Sequence, residues 1–362
     1  MRVKLSDITQ YSKGVQINGD ELVDNGDYIY LNGGINPSGR WTESNVGANT
    51  VTISEGGNSS GYINYITEPF WCGAHCYYLF NGPKNTKYLY YALESQQDRL
   101  LAIRSGACMP NIKKSDLGKF EFEFDINEQK QNEIVATLSR VENVIACRKR
   151  ELELLDDLIK ARFVEMFGDI NINDKNWNCE PLGELCTIVR GGSPRPIEQF
   201  LGGDVPWIKI GDATDGDNIY LNSTKEHIIQ EGVKKSRLVK PGSLIFANCG
   251  VSLGFARIIT FEGCIHDGWL AMEDIDERLD RVFLLQALNQ MTEYFRTIAP
   301  AGTQPNLNTA IMKAYMQVIP PIELQRDYIR FVHQVDKSKV AVQKALDETQ
   351  TLFDSLMQEY FG

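Results

Sequence analysis

The sequence predicts an α+β protein: two globular units of mixed strands and helices, separated by two long antiparallel coiled-coil helices. Three observations carry this. A long stretch of the chain occurs twice, two segments keep a sustained helical seam, and what lies between them is short strands and Gly-rich turns.

The repeat is clearest between residues 128–168 and 322–362. The first ends Phe163-Val-Glu-Met166-Phe167-Gly168 and the second Met357-Gln-Glu-Tyr360-Phe361-Gly362, so a shift of 194 residues carries Phe167 onto Phe361 without a gap. Val135 then meets Ile329, Val141 meets Val335, Leu152 meets Leu346 and Leu158 meets Leu352. Within the first copy, Ile134, Leu138, Val141, Ile145, Arg148, Leu152, Leu155, Ile159, Arg162 and Met166 keep a strict 4-3 rhythm. Tyr328, Val332, Val335, Lys339, Val342, Leu346, Thr349, Phe353, Leu356 and Tyr360 do the same in the second. All but two positions in each set are apolar, which is a coiled-coil seam rather than a surface stripe. No Pro or Gly interrupts either run, and about 35 residues per helix give about 50 Å.

The repeat continues upstream. Tyr88-Leu89 and Ala92-Leu93 match Phe283-Leu284 and Ala287-Leu288, and Pro110-Asn111-Ile112 echoes Pro305-Asn306-Leu307. Val51-Thr-Ile53, running into Gly56-Gly57 and Gly61-Tyr62, parallels Leu244-Ile-Phe246, running into Gly250 and Gly254-Phe255. Both read as buried strand, turn, second strand. Tyr28-Ile-Tyr-Leu31 and Val205-Pro-Trp-Ile208 are two more such strands. The order is therefore a globular unit over residues 1–125, a helix over 126–170, a second unit over 177–320 and a second helix over 321–362.

Composition narrows the function. No apolar run reaches the length of a membrane span or an export signal, so a cytoplasmic location with reduced thiols is expected. The eight cysteines include no CxxC pair; Cys72-Gly-Ala-His75-Cys76 lacks the second ligand pair a zinc site needs, and no metal is expected. The P-loop, the GxSxG elbow and the Asn/Asp-Pro-Pro-aromatic amino-methyltransferase tetrapeptide are absent. Four histidines stand apart, with His333 expected on a helix surface. The acidic runs at 151–157 and 273–280 read as solvated helix faces. No catalytic residue is assigned.

With these motifs placed, the chain resembles the specificity subunits of type I restriction–modification systems over its whole length. Pro181-Leu-Gly-Glu-Leu185 followed by Arg190-Gly-Gly-Ser-Pro194 resembles the opening of a target-recognition domain, and Lys4-Leu5-Ser-Asp-Ile8 the same opening in the first unit. Gly302-Thr-Gln304-Pro-Asn306-Leu307, the Pro320-Pro-x-Glu-x-Gln325 helix start and the terminal Phe-Gly pairs complete the likeness. The first unit departs from it, with Ser12-Lys13-Gly14 in place of Gly-Ser-Pro and Met109-Pro-Asn111 in place of Gln-Pro-Asn.

The resemblance implies a non-catalytic subunit that reads a bipartite, asymmetric stretch of double-stranded DNA. Two methyltransferase (modification) subunits would dock on the spacer helices, restriction subunits would be a further partner, and no membrane is involved. The resemblance implies that S-adenosylmethionine binds the methyltransferase partner and that this chain holds no cofactor. Helix length would set the gap between half-sites. A coiled-coil scaffold that assembles partners without reading DNA is the competing reading.

A net charge of −11 opposes a simple DNA binder, because phosphate neutralisation needs cations. The cations cluster locally, at Arg99, Arg104, Lys113, Lys114 and Lys119 and again at Lys234, Lys235, Arg237 and Lys240. The chain alone is therefore expected to bind DNA weakly. Arg reads guanine, and Asn or Gln reads adenine. The DNA-contact candidates are Arg40, Trp41, Asn58, Ser59, Arg104 and Lys113 in the first unit, and Ser193, Arg195, Lys209, Asn248, Gln304 and Asn306 in the second.

Overall fold

The computed structural model describes residues 1–106, 110–213, 218–250, 252–300 and 306–362. Gln304 lies outside them. The chain divides into two compact units, one of Met1–Arg150 with Val342–Gly362 and one of Glu151–Ala341. Each unit thus holds one globular segment and half of each long helix.

Those helices are Glu128–Phe167 and Ile322–Phe361, each unbroken over 40 residues. That is longer than expected, about 60 Å apiece at 1.5 Å per residue. The extra turns come from their ends. Asn127 caps the first start, its side-chain oxygen accepting from the N–H groups of Gln129 and Lys130. Gly168, at φ +76°, closes the same helix. That left-handed conformation favours glycine, and a Cβ there would also displace the Asp174 carboxylate. Every seam position is buried or half-buried, including the polar Arg148, Arg162, Lys339 and Thr349, while the matched Leu158 and Leu352 are exposed.

The first unit is built on a sheet ordered Gln10–Lys13, Cys76–Phe80, Thr50–Ser54, Ile63–Ile66, all antiparallel. A smaller sheet joins Gly39–Trp41, Tyr28–Leu31 and Trp71–Cys72. The β-branched Val51-Thr-Ile53 run is buried throughout, as both sheet faces are covered. Its core gathers Ile53, Leu89, Tyr91, Ile112 and Phe122 around Ile134 and Leu138 of one helix and Phe353, Leu356 and Phe361 of the other. The Tyr88 and Phe361 rings lie 5.3 Å apart.

The second unit repeats the plan with sheets of five and four strands in place of four and three. Its sheets are Thr187–Arg190, Trp269–Glu273, Leu244–Ala247, Ala256–Ile259, Tyr220–Leu221, and Glu226–Ile228, Leu201–Ile208, Gly263–Ile265, Arg237–Val239. Here the helices run antiparallel, with Ile159, Phe163 and Phe167 beside Tyr328 and Asp156 paired with Lys339. Phe163, Phe167, Phe283 and Tyr328 pack as one aromatic knot at centroid distances of 4.8–5.8 Å. Phe163 and Phe167 lie off the seam and face the globular core, a second buried stripe that the 4-3 rhythm did not mark.

The acidic run at 273–280 corrects the sequence reading. Residues beyond Glu273 form a loop, not a helix face. Arg278 grips both Glu180 and Asp276 there, and its hydrogen bonds pull the Asp276 carboxyl down to about 2. Asp280 caps the next helix by accepting from the Val282 N–H.

The duplication holds at the level of single backbone hydrogen bonds. Glu55 N–H donates to His75 and Ile112 N–H donates to Glu55; in the second unit Asn248 N–H donates to Gly268 and Leu307 N–H to Asn248. Tyr30 pairs with Trp71 as Trp207 pairs with Cys264.

Candidate nucleic-acid interface

In the second unit two of the sequence candidates, Ser193 and Arg195, meet at the turn His266-Asp267-Gly268, between strands Gly263–Ile265 and Trp269–Glu273. The Gly-Gly of the opening motif makes this convergence geometrically feasible. A Cβ on Gly191 would fall 2.1 Å from the His266 carbonyl, so the backbone can run this close only as glycine. Gly192 N–H donates to Ile265 O, and Ser236 Oγ donates back to Gly192 O. The motif is thereby tied on one side to the turn and on the other to the basic segment Lys234-Lys235-Ser236-Arg237.

Asp267 is the hub. Ser193 Oγ donates to its Oδ1 at 2.9 Å, His266 Nε2 lies 2.9 Å from the same oxygen, and Arg195 Nη2 donates to Oδ2 at 3.3 Å. Arg190 Nε donates to its backbone carbonyl. Gly268 N–H donates to His266 Nδ1, so the neutral imidazole carries its proton on Nε2, toward the carboxylate. Burial works to raise the Asp267 carboxyl, but the Ser193 hydrogen bond and the His266 and Arg195 charges outweigh it and the group is held low. Burial pushes His266 down, with Lys209, Arg195 and Arg190 adding to the effect against the pull of Asp267.

Both shifts act in one direction. A folded His below its usual 6.5 and an Asp below its usual 3.8 each contribute stability that is complete at neutral pH and lost as pH falls. His266→Gln is expected to flatten the loss of thermal stability between pH 6.5 and 5. An unchanged slope would show that His266 does not titrate in that window.

Lys209 sits on the same rim, over the Trp207 ring at 5.4 Å and paired with Glu226. Beside it opens a cleft of about 460 Å³ lined by Ser193, Arg195, Ile197, Trp207 and His266. The buried Trp207 indole N–H has no acceptor among the described residues. Lys235 stacks on Phe200 at 4.6 Å.

Asn248 is corrected as a base reader. It is fully buried, and its amide nitrogen donates to Asn306 Oδ1 and Leu307 O, so it fixes the loop carrying Asn306. Asn306 is half-buried.

The first unit presents the same frame with different chemistry. Glu55 stands where the second unit has Asn248, and its buried carboxylate is paired with Lys13, with His75 Nδ1 at 3.7 Å and Tyr77 donating at 3.5 Å. Backbone equivalence places Lys13 at Arg190 and Asn32 at Lys209. Arg40 is occupied: its Nε and Nη2 donate to the Gly26 and Asp27 carbonyls. Trp41 packs edge-on against Trp71. Ser59 donates to Gly33 O, and Asn58 beside it is exposed. Arg104 donates to Leu101 O, and Lys113 is exposed at the start of a short helix.

Sequence reasoning missed Lys13, Glu55, His266 and Asp267. The signal was present for Lys13, which precedes Gly14 as Arg190 precedes Gly191. Cys72 and Cys76 are ordinary strand residues: hydrogen bonding to Cys76 and burial hold the Cys72 thiol up. Among the described residues no group of His, Cys, Asp and Glu gathers as a metal site, and no helix is long and apolar enough to cross a membrane.

Each unit is a copy of one α+β frame packed on segments of the two long helices. Comparison with known proteins gives the family. The chain belongs to the type I restriction modification DNA specificity domain family, whose model matches residues 1–156 and again 174–349. A Mycoplasma genitalium protein named "Putative type I specificity subunit" is 25% identical over 96% of this chain and 90% of its own length. The crystal structure of the type I restriction–modification S subunit from M. genitalium covers 100% of this chain and 96% of that one, with TM-score 0.60 and 22% identity. A structure of type I complex assembly and conformational transition gives TM-score 0.60 at 15% identity, over 99% of this chain and 96% of its own. The last two share its fold. This chain is a specificity subunit, and its role is DNA target recognition.

Proposed function

We propose that the chain reads a bipartite, asymmetric DNA target, one half-site per unit, and has no catalytic activity of its own. One observation carries this. Two copies of one backbone frame hold Arg190 and Lys209 in one unit and Lys13 and Asn32 at the same places in the other. Different donors and acceptors on one scaffold read different base edges.

Methyltransferase subunits dock on the exposed faces of the long helices in this reading, and S-adenosylmethionine belongs to them. Restriction subunits join that assembly as a further partner. The length of the two helices sets the gap in the target. The overall charge of −11 is consistent with partners supplying much of the phosphate contact.

The test is a charge reversal read in the complex with the modification subunits. Lys235→Glu with Arg237→Glu is expected to weaken DNA binding uniformly across sequences. It should also flatten the salt dependence by about 0.9 in slope for each phosphate contact removed. Methylome sequencing should still return the same two half-sites at lower occupancy. Undiminished binding with an unchanged salt slope would remove this rim from the interface.

A further inference from the structure

We propose that Arg195 reads a guanine in the half-site served by the second unit, and that Asp267 is the positioning residue that holds its guanidinium for the task. This rests on the DNA-reading role above and adds the side chain and the base.

The first argument is availability within the second unit. Asn248 is buried on Asn306 and Leu307, Asn306 is half-buried, and Lys209 is paired with Glu226. Arg195 differs. Its side chain is 79% exposed, yet one contact anchors it. Asp267 takes a single N–H from Nη2, and a guanidinium has five. What remains includes a full two-donor edge.

The second argument is rigidity. A free arginine loses rotamer entropy when it binds, so a pre-held one discriminates better per hydrogen bond. Pro194 and Pro196 flank Arg195 and restrict its backbone. The carboxylate that holds the guanidinium is itself fixed by Ser193 and His266. The support is therefore two layers deep, and it opens onto the cleft beside Trp207.

The third argument is complementarity. In the major groove guanine offers two adjacent acceptors, O6 and N7, which match a two-donor edge. Adenine sets a donor beside N7 and repels it.

The experiment uses the full chain with its modification subunits, in cells without other adenine methylation, read by methylome sequencing. The wild type is expected to show a fixed G·C pair in one half-site. Arg195→Ala should lose discrimination at that pair by about ten- to a hundredfold, and Arg195→Lys should lose part of it, because lysine's flexible ammonium lacks the planar fork. Asp267→Asn should relax the same position and no other, with the opposite half-site unchanged. Arg195 is exposed, so its variants test the idea even if Asp267→Asn lowers folding stability. A target lacking a fixed G·C pair, or an unchanged motif in Arg195→Ala, overturns the assignment. If that happens while the Lys235 and Arg237 reversal still weakens binding, the DNA-reading face stands and only the guanine assignment falls. A reversal without any effect would overturn both.

Discussion

Alanine at Phe167 is expected to destabilise the second unit by about 3–5 kcal/mol, the usual loss for a fully buried phenylalanine. The ring is completely buried, 4.8 Å from Phe283, 4.9 Å from Phe163 and 5.4 Å from Tyr328. All three partners are large and rigid, so the cavity has little to collapse into it. Phe361 is its twin in the first unit, placed against Tyr88 as Phe167 is against Phe283. Phe361→Ala should destabilise the first unit instead, and less, because that ring keeps 7% exposure. Calorimetry or urea unfolding of each variant separates the two: one transition moves and the other stays. If Phe167→Ala left both transitions in place, the aromatic knot would contribute nothing to the fold.

That pair also shows what the sequence made legible. A fixed shift aligns Phe167 with Phe361 in the sequence itself, because both helices keep one period over ten seam positions and neither contains Pro or Gly. Helices of this kind are local objects, and their pattern survives in one dimension. Strands Tyr28–Leu31 and Thr50–Ser54 were legible for a similar reason, as short β-branched or aromatic runs closed by turns.

The site was only half legible. Arg195 and Ser193 stood out because they adjoin the Gly-Gly motif, but their partner Asp267 lies more than seventy residues away in sequence. No spacing rule links them; the connection exists only because two strands pair. Arg40 shows the converse: two of its N–H groups go to the Gly26 and Asp27 carbonyls, a contact that no composition argument reveals. The acidic loop after Glu273 misled in the same way, since Arg278 turns it into a salt-bridged clasp rather than a solvated face.

The start of the second long helix carries the other large expectation. Gln325 is fully buried and makes three hydrogen bonds: its Oε1 accepts from Asp280 N–H, and its Nε2 donates to the Arg278 and Pro320 carbonyls. It thus pins the loop that carries Arg278 to the Pro320-Pro321 turn. Gln325→Leu keeps the bulk but orphans one N–H and leaves two carbonyls short. At about 1–3 kcal/mol for each buried group left unpaired, a loss of about 3 kcal/mol or more is expected. Gln131, its counterpart, is buried too but among the described residues its side chain donates only to Asp125 O, so Gln131→Leu should cost the first unit less. Gln325→Glu adds a pH signature. Its carboxylate keeps the bond from Asp280 but loses both donors and carries a buried charge, which raises its folded pKa above the unfolded value. Stability should then be greatest below the unfolded carboxylate range and decline as pH rises through the folded pKa. Urea midpoints at pH 5 and pH 8 measure this, and a Gln325→Leu variant as stable as the wild type would show that the pinned loop does not support the helix start.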